Sequence, residues 1–431
     1  MGRQHQDAPI SPLGLIIWSL AALFFLYEFF LRTFIGSVAH QIMPDLQLNA
    51  ETFAIIGSAY YIAYGFMQIP VGILADKYGV RLIMTFAILI CVASSFLFSH
   101  AENFNIAVIS RFLMGFGSSF AFVCLLVVVS TWLPRKYFGF FAGASQFVGT
   151  MGPLLAGGPL IALITKTHQG WRSMLAEIAA AGIILAILIF IFVRNKPRDG
   201  EKTLIFLNHN EPLKFRLKKL MANNQAWSVA FYSATVYISI ELLGAFWGTE
   251  YLQARGLAQS AAANIISLCW LGYAIACPLL GVFSDIAQRR KPTLILCAFL
   301  GLLSTAGITY LPSAYSSWTY SFLFFCLGFA ASGQNLGFAA IVEHSDVSTK
   351  AIALGLNNGI IILSAAIVPP LASYFIYLSS NGVNEHLQPE NFIAAFTIMP
   401  LLYACSLIIA CFCIRETYCK PQQGAILLQF Q

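Results

Sequence analysis

Charge is what this sequence has least of. Asp, Glu, Lys and Arg make up 10% of its 431 residues, against about a quarter of a soluble globular domain, and the mean hydropathy is +0.76. That balance excludes a water-soluble enzyme. Polar chain is equally short: the longest segment between apolar runs is residues 194–225 and the tail beyond 414 has 17 residues, too few in either place to fold a domain. Of the ten cysteines, nine (Cys91, Cys124, Cys269, Cys277, Cys297, Cys326, Cys405, Cys411 and Cys413) lie inside apolar runs and Cys419 just beyond one. Such spacing is no disulfide framework, and Cys411-Phe-Cys413 is too tight for a metal clamp. No nucleophile stands at a recognisable distance from a base, so neither an enzyme, a metal nor a cofactor is expected, a coupling proton aside. Asn-x-Ser/Thr sequons are missing as well, which points to a bacterial inner membrane. The opening MGRQHQDAPISPLG lacks the short apolar region and small-residue site of a cleaved signal, so the first apolar run is expected to stay. Gln6 also breaks the myristoylation pattern.

What fills the chain is apolar sequence in units of about 20 residues, the length that crosses a bilayer. Twelve such units are read, at 13–39, 54–75, 81–99, 104–131, 138–164, 173–193, 226–249, 262–284, 293–311, 318–342, 351–378 and 392–414. Both termini then share one side. Nineteen of the 24 Lys and Arg fall in loops on that side, three (Lys166, Arg172, Arg255) on the other, and two (Arg32, Arg111) inside spans. The positive-inside rule therefore places the termini in the cytoplasm. The same loops account for the net charge of +6, so no nucleic-acid partner is needed to explain it. The expected architecture is an all-α membrane protein with twelve transmembrane helices in two pseudo-symmetric six-helix bundles, monomeric in the lipid bilayer. Residues 1–193 form the first bundle, 194–225 a cytoplasmic linker, and 226–431 the second bundle with a short tail. The basic end of the linker, Pro212–Leu220, reads either as solvated chain or as a short amphipathic helix on the anionic inner leaflet.

The halves repeat. Gly72-Ile-Leu-Ala-Asp76 returns as Gly281-Val-Phe-Ser-Asp285 after 209 residues, Gly115 as Gly328 after 213, and Gly143 as Gly355 after 212. Against that frame stand four ionisable residues in mid-span: Glu28, Arg32, Arg111 and Glu241. A charge at that depth costs several kcal/mol and marks a functional site by default. Glu28 and Arg32 are four apart, on one helix face, and can pair; the plainer alternative is an ion pair that merely makes the helix insertable. Glu241 follows Glu28 by 213 residues, so the acid is duplicated, whereas Ala245 and Phe324 stand where Arg32 and Arg111 would repeat. A site between the halves would be electrically lopsided. Guanidinium forks suit a carboxylate or phosphate, and Glu241 is free to receive an amine or a proton, or to bond Tyr237 one turn away.

Polar residues mark selected spans: Tyr61, Tyr64 and Gln68 on the second, Ser145, Gln146 and Thr150 on the fifth, Ser233 and Tyr237 on the seventh, Gln334 and Asn335 on the tenth, Asn357 and Asn358 on the eleventh. These read as cavity-lining or as packing between helices. Spans three, nine and twelve are apolar through their centres and read as lipid-facing. Glycine and proline gather in spans five and eleven, as hinged, sliding helices require.

Gly72-Ile-Leu-Ala-Asp76-Lys77-Tyr-Gly79-Val-Arg81 is similar to the signature loop of the major facilitator superfamily, with Lys77 and Val80 in place of two of its basic residues. Arg111-Phe-Leu-Met-Gly115-Phe-Gly117 resembles the helix-four motif whose Arg that family associates with proton coupling. Gly152-Pro153-Leu-Leu-Ala-Gly157-Gly158 resembles its antiporter motif with one residue inserted. Tyr27-Glu28 through Arg32, followed by Tyr64-Gly-Phe-Met-Gln-Ile-Pro70, resembles bacterial carriers grouped with the lysosomal dipeptide transporter family. The resemblance implies a gate at the cytoplasmic mouth, with Asp76, its partial copy Asp285, Gly72, Gly79 and Arg81 as its parts. It implies a secondary transporter that moves a small organic solute by alternating access, most simply a proton symporter for an amino acid, short peptide or carboxylate. Its solute and proton site would draw on Glu28, Arg32, Tyr61, Tyr64, Arg111, Gln146, Tyr237, Glu241, Asn335 and Asn358. An antiporter exporting amphipathic compounds and a receptor that binds without moving its ligand are the alternatives.

Overall fold

In lipid every backbone N–H and C=O must find a partner within the chain, so apolar runs of this length fold as helices. The structure, a computed structural model, describes residues 11–133, 138–195, 212–311, 316–346, 349–380 and 387–419, and among these the elements are all helical. Twelve long segments follow in order. They are α1 (Pro12–Ser37), α2 (Ala50–Tyr78), α3 (Val80–Ser99), α4 (Phe104–Ser118 continued by Phe120–Trp132), α5 (Phe138–Ala156 continued by Gly158–Thr167) and α6 (Trp171–Phe192). The second half holds α7 (Asn224–Glu241, a π-helical turn Leu242–Trp247, then Gly248–Ala254), α8 (Gln259–Ala287), α9 (Lys291–Tyr310), α10 (Ser317–Ala331 continued by Gly333–Glu343), α11 (Lys350–Ser379) and α12 (Pro389–Phe396, Ile398–Ile408 and π-helical Ile409–Cys413). Ten are long and apolar enough to cross a membrane, and α5 makes an eleventh if its two pieces, bent by 43°, are one span. The helix α2, 29 residues long, stands where the second span was expected; several of its side chains near Asp76 lie outside the described residues.

Polar residues just ahead of the apolar runs start the helices: Ser11 accepts the Gly14 N–H at 2.9 Å, Asn103 that of Ile106 at 3.0 Å and Asn223 that of Gln225 at 3.0 Å. Helices also outrun the apolar stretches, as in α7, which continues past the expected end at 249 to Ala254.

The packing repeats with the sequence. α1 packs on α5, α2 on α4, α3 on α4 and on α6; six helices later α7 packs on α11, α8 on α10, α9 on α10 and on α12. Between the halves the main contacts are α2 with α11 and α5 with α8, which exchange under the same shift of six.

The end away from the termini is closed. A Cβ on Gly36 of α1 would collide with the Ala245 backbone of α7. The Ser267 hydroxyl of α8 donates to the Leu154 carbonyl at 2.9 Å and accepts the Gly158 N–H at 2.8 Å, both on α5. Gln259 reaches the His40 ring at 2.9 Å. Toward the termini, Gly143 on α5 and Gly355 and Gly359 on α11 face open space, with nothing within 4 Å of where a side chain would start. The basic end of the linker forms a helix, Leu213–Met221, tied to the second half by Lys219 to Asp346 at 2.7 Å; residues 196–211 lie outside the described residues.

Candidate functional site

The mid-span charges of three helices meet where the halves meet. On α1, Arg32 grips Glu28 through both carboxylate oxygens, at 3.0 and 3.2 Å. Its other terminal nitrogen stands 3.8 Å from Glu241 on α7, so one guanidinium is shared by an acid from each half. Both acids are fully buried and Arg32 nearly so. Adjacent tyrosines of α2 serve them: the Tyr60 hydroxyl donates to Glu28 at 2.8 Å and the Tyr61 hydroxyl donates to Glu241 in a short bond. Glu241 therefore draws on two groups of the opposite half, Arg32 and Tyr61, beside Tyr237 one turn earlier on its own helix. The guanidinium lies over the rings of Phe29 and Tyr64, at 4.3 and 4.8 Å, which holds its plane in place. The π-helical turn begins at the residue after Glu241; such turns inside α-helices are often found at functional sites.

Beside this network is a central pocket lined by Phe25, Phe29, Arg32, Tyr64, Phe122, Gln146, Tyr237, Tyr273, Gln334, Phe338, Asn358, Ile361 and Ile362. They come from α1, α2, α4, α5, α7, α8, α10 and α11; among the described residues α3, α6, α9 and α12 contribute none, as expected of lipid-facing helices for three of the four. Five of the expected site residues are on the wall: Arg32, Tyr64, Gln146, Tyr237 and Asn358. Glu28, Tyr61 and Glu241 form the layer behind Arg32. Asn335 sits behind Tyr273, whose hydroxyl it approaches at 3.4 Å.

Arg111 is elsewhere. Its terminal nitrogens donate to the carbonyls of Leu31 at 2.6 Å and Arg32 at 3.2 Å, and its plane covers Tyr60 at 4.6 Å. It fastens α4 to the backbone of α1 and does not reach the cavity. The gate residues divide too. Gly79 adopts φ +79° ahead of α3, a conformation that only glycine takes without strain. Arg81 donates from its backbone to Asn195 at 3.0 Å and from its side chain to the Phe190 carbonyl at 2.8 Å, closing α3 on α6 within one half. Asp285 pairs with Arg290 at 2.6 Å, and Arg290 also holds Glu343 at 2.9 Å. The side chain of Asp76 lies outside the described residues, as do the surroundings of Gly72.

Tyr273 was missed, and it is the hub of the far wall. Its hydroxyl donates to Gln334 at 2.7 Å and lies 3.5 Å from Gln146. The repeat could have found it, because Tyr273 follows Tyr64 by the same 209 residues that separate Asp76 from Asp285. Gln146 and Asn358 are likewise 212 apart, and Asn358 donates across the halves to Gln68 at 2.7 Å. The polar wall is thus two-fold, and the charged network is not.

The profile of the Major Facilitator Superfamily matches residues 19–334 and 229–424. The probable galactarate/D-glucarate transporter GarP of Escherichia coli (strain K12) is 26% identical over 398 residues, spanning 83% of this chain and 86% of its own length. The hexuronate transporter of Bacillus subtilis (strain 168) is 24% identical over 296 residues, 64% of this chain and 68% of its own. Among solved structures, a bacterial homolog of the human lysosomal transporter Spinster, inward-facing and unoccupied, superposes with a TM-score of 0.70 at 14% identity, over 96% of this chain and 99% of that one. The nucleoside transporter NupG superposes with a TM-score of 0.72 at 13% identity, over 92% and 99%. These two likenesses concern the fold.

Proposed function

The chain belongs to the major facilitator superfamily, and on that premise we propose that it is a proton-coupled carrier of a small organic anion, a carboxylate, working by alternating access in a bacterial inner membrane with both termini in the cytoplasm. One observation carries the reading: among the described residues Arg32 is the charged group on the cavity wall, and two buried carboxylates, one per half, hold it from behind.

A solute carboxylate that reaches Arg32 competes with Glu28 for the nitrogen that holds it and with Glu241 for the charge it faces at 3.8 Å. A buried carboxylate stripped of its partner is strongly unfavourable, so the displaced acid takes a proton, and anion and proton load together. When both leave, the ion pairs re-form and the empty carrier resets. With the termini cytoplasmic, the closed far end and the open glycines of α5 and α11 describe an inward-facing state. The names of the two curated relatives, carriers of sugar acids, agree with an anionic solute. An amine has less to meet here, since neither acid lines the cavity.

The test is flux. Proteoliposomes loaded with a pH-sensitive dye and held at an inside-alkaline gradient are offered galactarate, glucuronate and 3-phenylpropionate. The reading expects saturable uptake of at least one with internal acidification above that of protein-free liposomes, lost in Arg32→Gln. Saturable binding without flux would make the protein a receptor and overturn the reading.

A further inference from the structure

We propose that the cavity is shaped for a monocarboxylate with an aromatic or similarly flat apolar body, and that it rejects sugar diacids. This rests on the anion reading above and narrows its solute class against the names that the relatives carry.

The first ground is the supply of cations. Arg32 is the sole charged residue among the described residues of the wall. The other mid-span cation, Arg111, is fully buried and committed to the Leu31 and Arg32 carbonyls. One carboxylate therefore finds a fork, and a second finds none.

The second ground is the row of rings that leads away from Arg32. From Arg32 a continuous chain of rings runs toward the termini: the guanidinium over Phe29 at 4.3 Å, Phe29 to Phe25 at 5.7 Å, Phe25 to Phe122 at 5.2 Å, and Phe122 to Phe338 at 6.3 Å. Phe29 and Phe25 precede Arg32 by three and seven residues on α1, so they stand about 4.5 and about 10 Å from it along the axis. All four rings line the cavity, Phe338 from the second half, with Ile361 and Ile362 beside them. The second carboxylate of an extended six-carbon diacid bound at Arg32 would come to rest among those rings. It would be stripped of water and unpaired there, which is the costliest outcome for a charge. A ring at the same place gains edge and offset contacts with Phe25, Phe122 and Phe338.

The third ground is the state of the polar wall. Its amides and hydroxyls are neutral, and some are already engaged, Tyr273 with Gln334 at 2.7 Å and Asn358 with Gln68 at 2.7 Å. A polyol competes with those bonds for the lining's donors and acceptors, whereas a ring among the phenylalanines makes no demand on them.

The experiment is equilibrium binding by calorimetry to the purified full-length protein in detergent micelles, with 3-phenylpropionate, butyrate, D-glucarate and 3-phenylpropan-1-ol as probes. The expected result is 3-phenylpropionate at least tenfold tighter than D-glucarate, about 1.4 kcal/mol, with the alcohol far weaker than the acid. Phe122→Leu and Phe338→Leu should each weaken 3-phenylpropionate at least fivefold and leave butyrate unchanged. D-glucarate binding as tightly as 3-phenylpropionate, or leucine variants that weaken butyrate and 3-phenylpropionate alike, would overturn the aromatic assignment and leave the anion reading standing. The alcohol binding as tightly as the acid, or Arg32→Gln leaving every affinity unchanged, would instead overturn the anion reading. Should the leucine variants not fold, the wild-type ratio of 3-phenylpropionate to D-glucarate decides.

Discussion

Arg32→Gln should destabilise the protein, and Glu28→Gln in the same chain should give much of that loss back. In the native protein the guanidinium satisfies Glu28 at 3.0 and 3.2 Å and faces Glu241 at 3.8 Å. Without it Glu28 retains the Tyr60 hydroxyl at 2.8 Å and Glu241 retains Tyr61, and both stay out of water. Removing one partner of a buried ion pair costs about 3–5 kcal/mol, most of it from the charge left behind. Glu28→Gln removes one of the two stranded charges, so the double variant should be more stable than the sum of the single losses by about 1–3 kcal/mol. Reversible unfolding of the four proteins in mixed micelles by titration with SDS reads the cycle. Losses that add to within about 0.5 kcal/mol, as distant sites do, would mean that Arg32 and Glu28 do not act as a unit and would refute the reasoning.

Two further substitutions separate the network from its surroundings. Arg111→Lys replaces a fork on two carbonyls by a point charge; turnover should fall about tenfold while the half-saturation concentration for the transported anion stays within about twofold, and a large rise in that concentration would place Arg111 in the cavity after all. Gly36→Val puts a side chain where α1 meets the Ala245 backbone; a cysteine introduced at Gln259 should then react faster with a membrane-impermeant maleimide from outside, and an unchanged rate would show that the far end closes without that contact.

The fold was legible because the bilayer leaves the chain few choices: twelve apolar runs, a repeat of about 210 residues and charge gathered in alternate loops. Glu28, Arg32 and Glu241 were legible for the same reason, since an ionisable side chain in an apolar run needs a purpose. Direction was what the sequence withheld. Arg111 lies at a plausible depth, but the rotation of α4 about its axis turns it to the carbonyls of Leu31 and Arg32 and away from the cavity. Tyr60 and Tyr61 are neighbours in sequence, and the packing of α2 against both α1 and α7 gives each a different acid. Phe25, Phe122 and Phe338 look like any lipid-facing phenylalanine until the halves close around them. Tyr273 was hidden in plain sequence, one repeat after Tyr64.

The central claim is that a solute carboxylate replaces the protein's own carboxylates at Arg32. Calorimetric titration of the protein with its preferred carboxylate, repeated in buffers of different ionisation enthalpy, counts the protons exchanged on binding. The account predicts net proton uptake in the wild type and markedly less in Glu28→Gln/Glu241→Gln; binding with no proton uptake in either would contradict it.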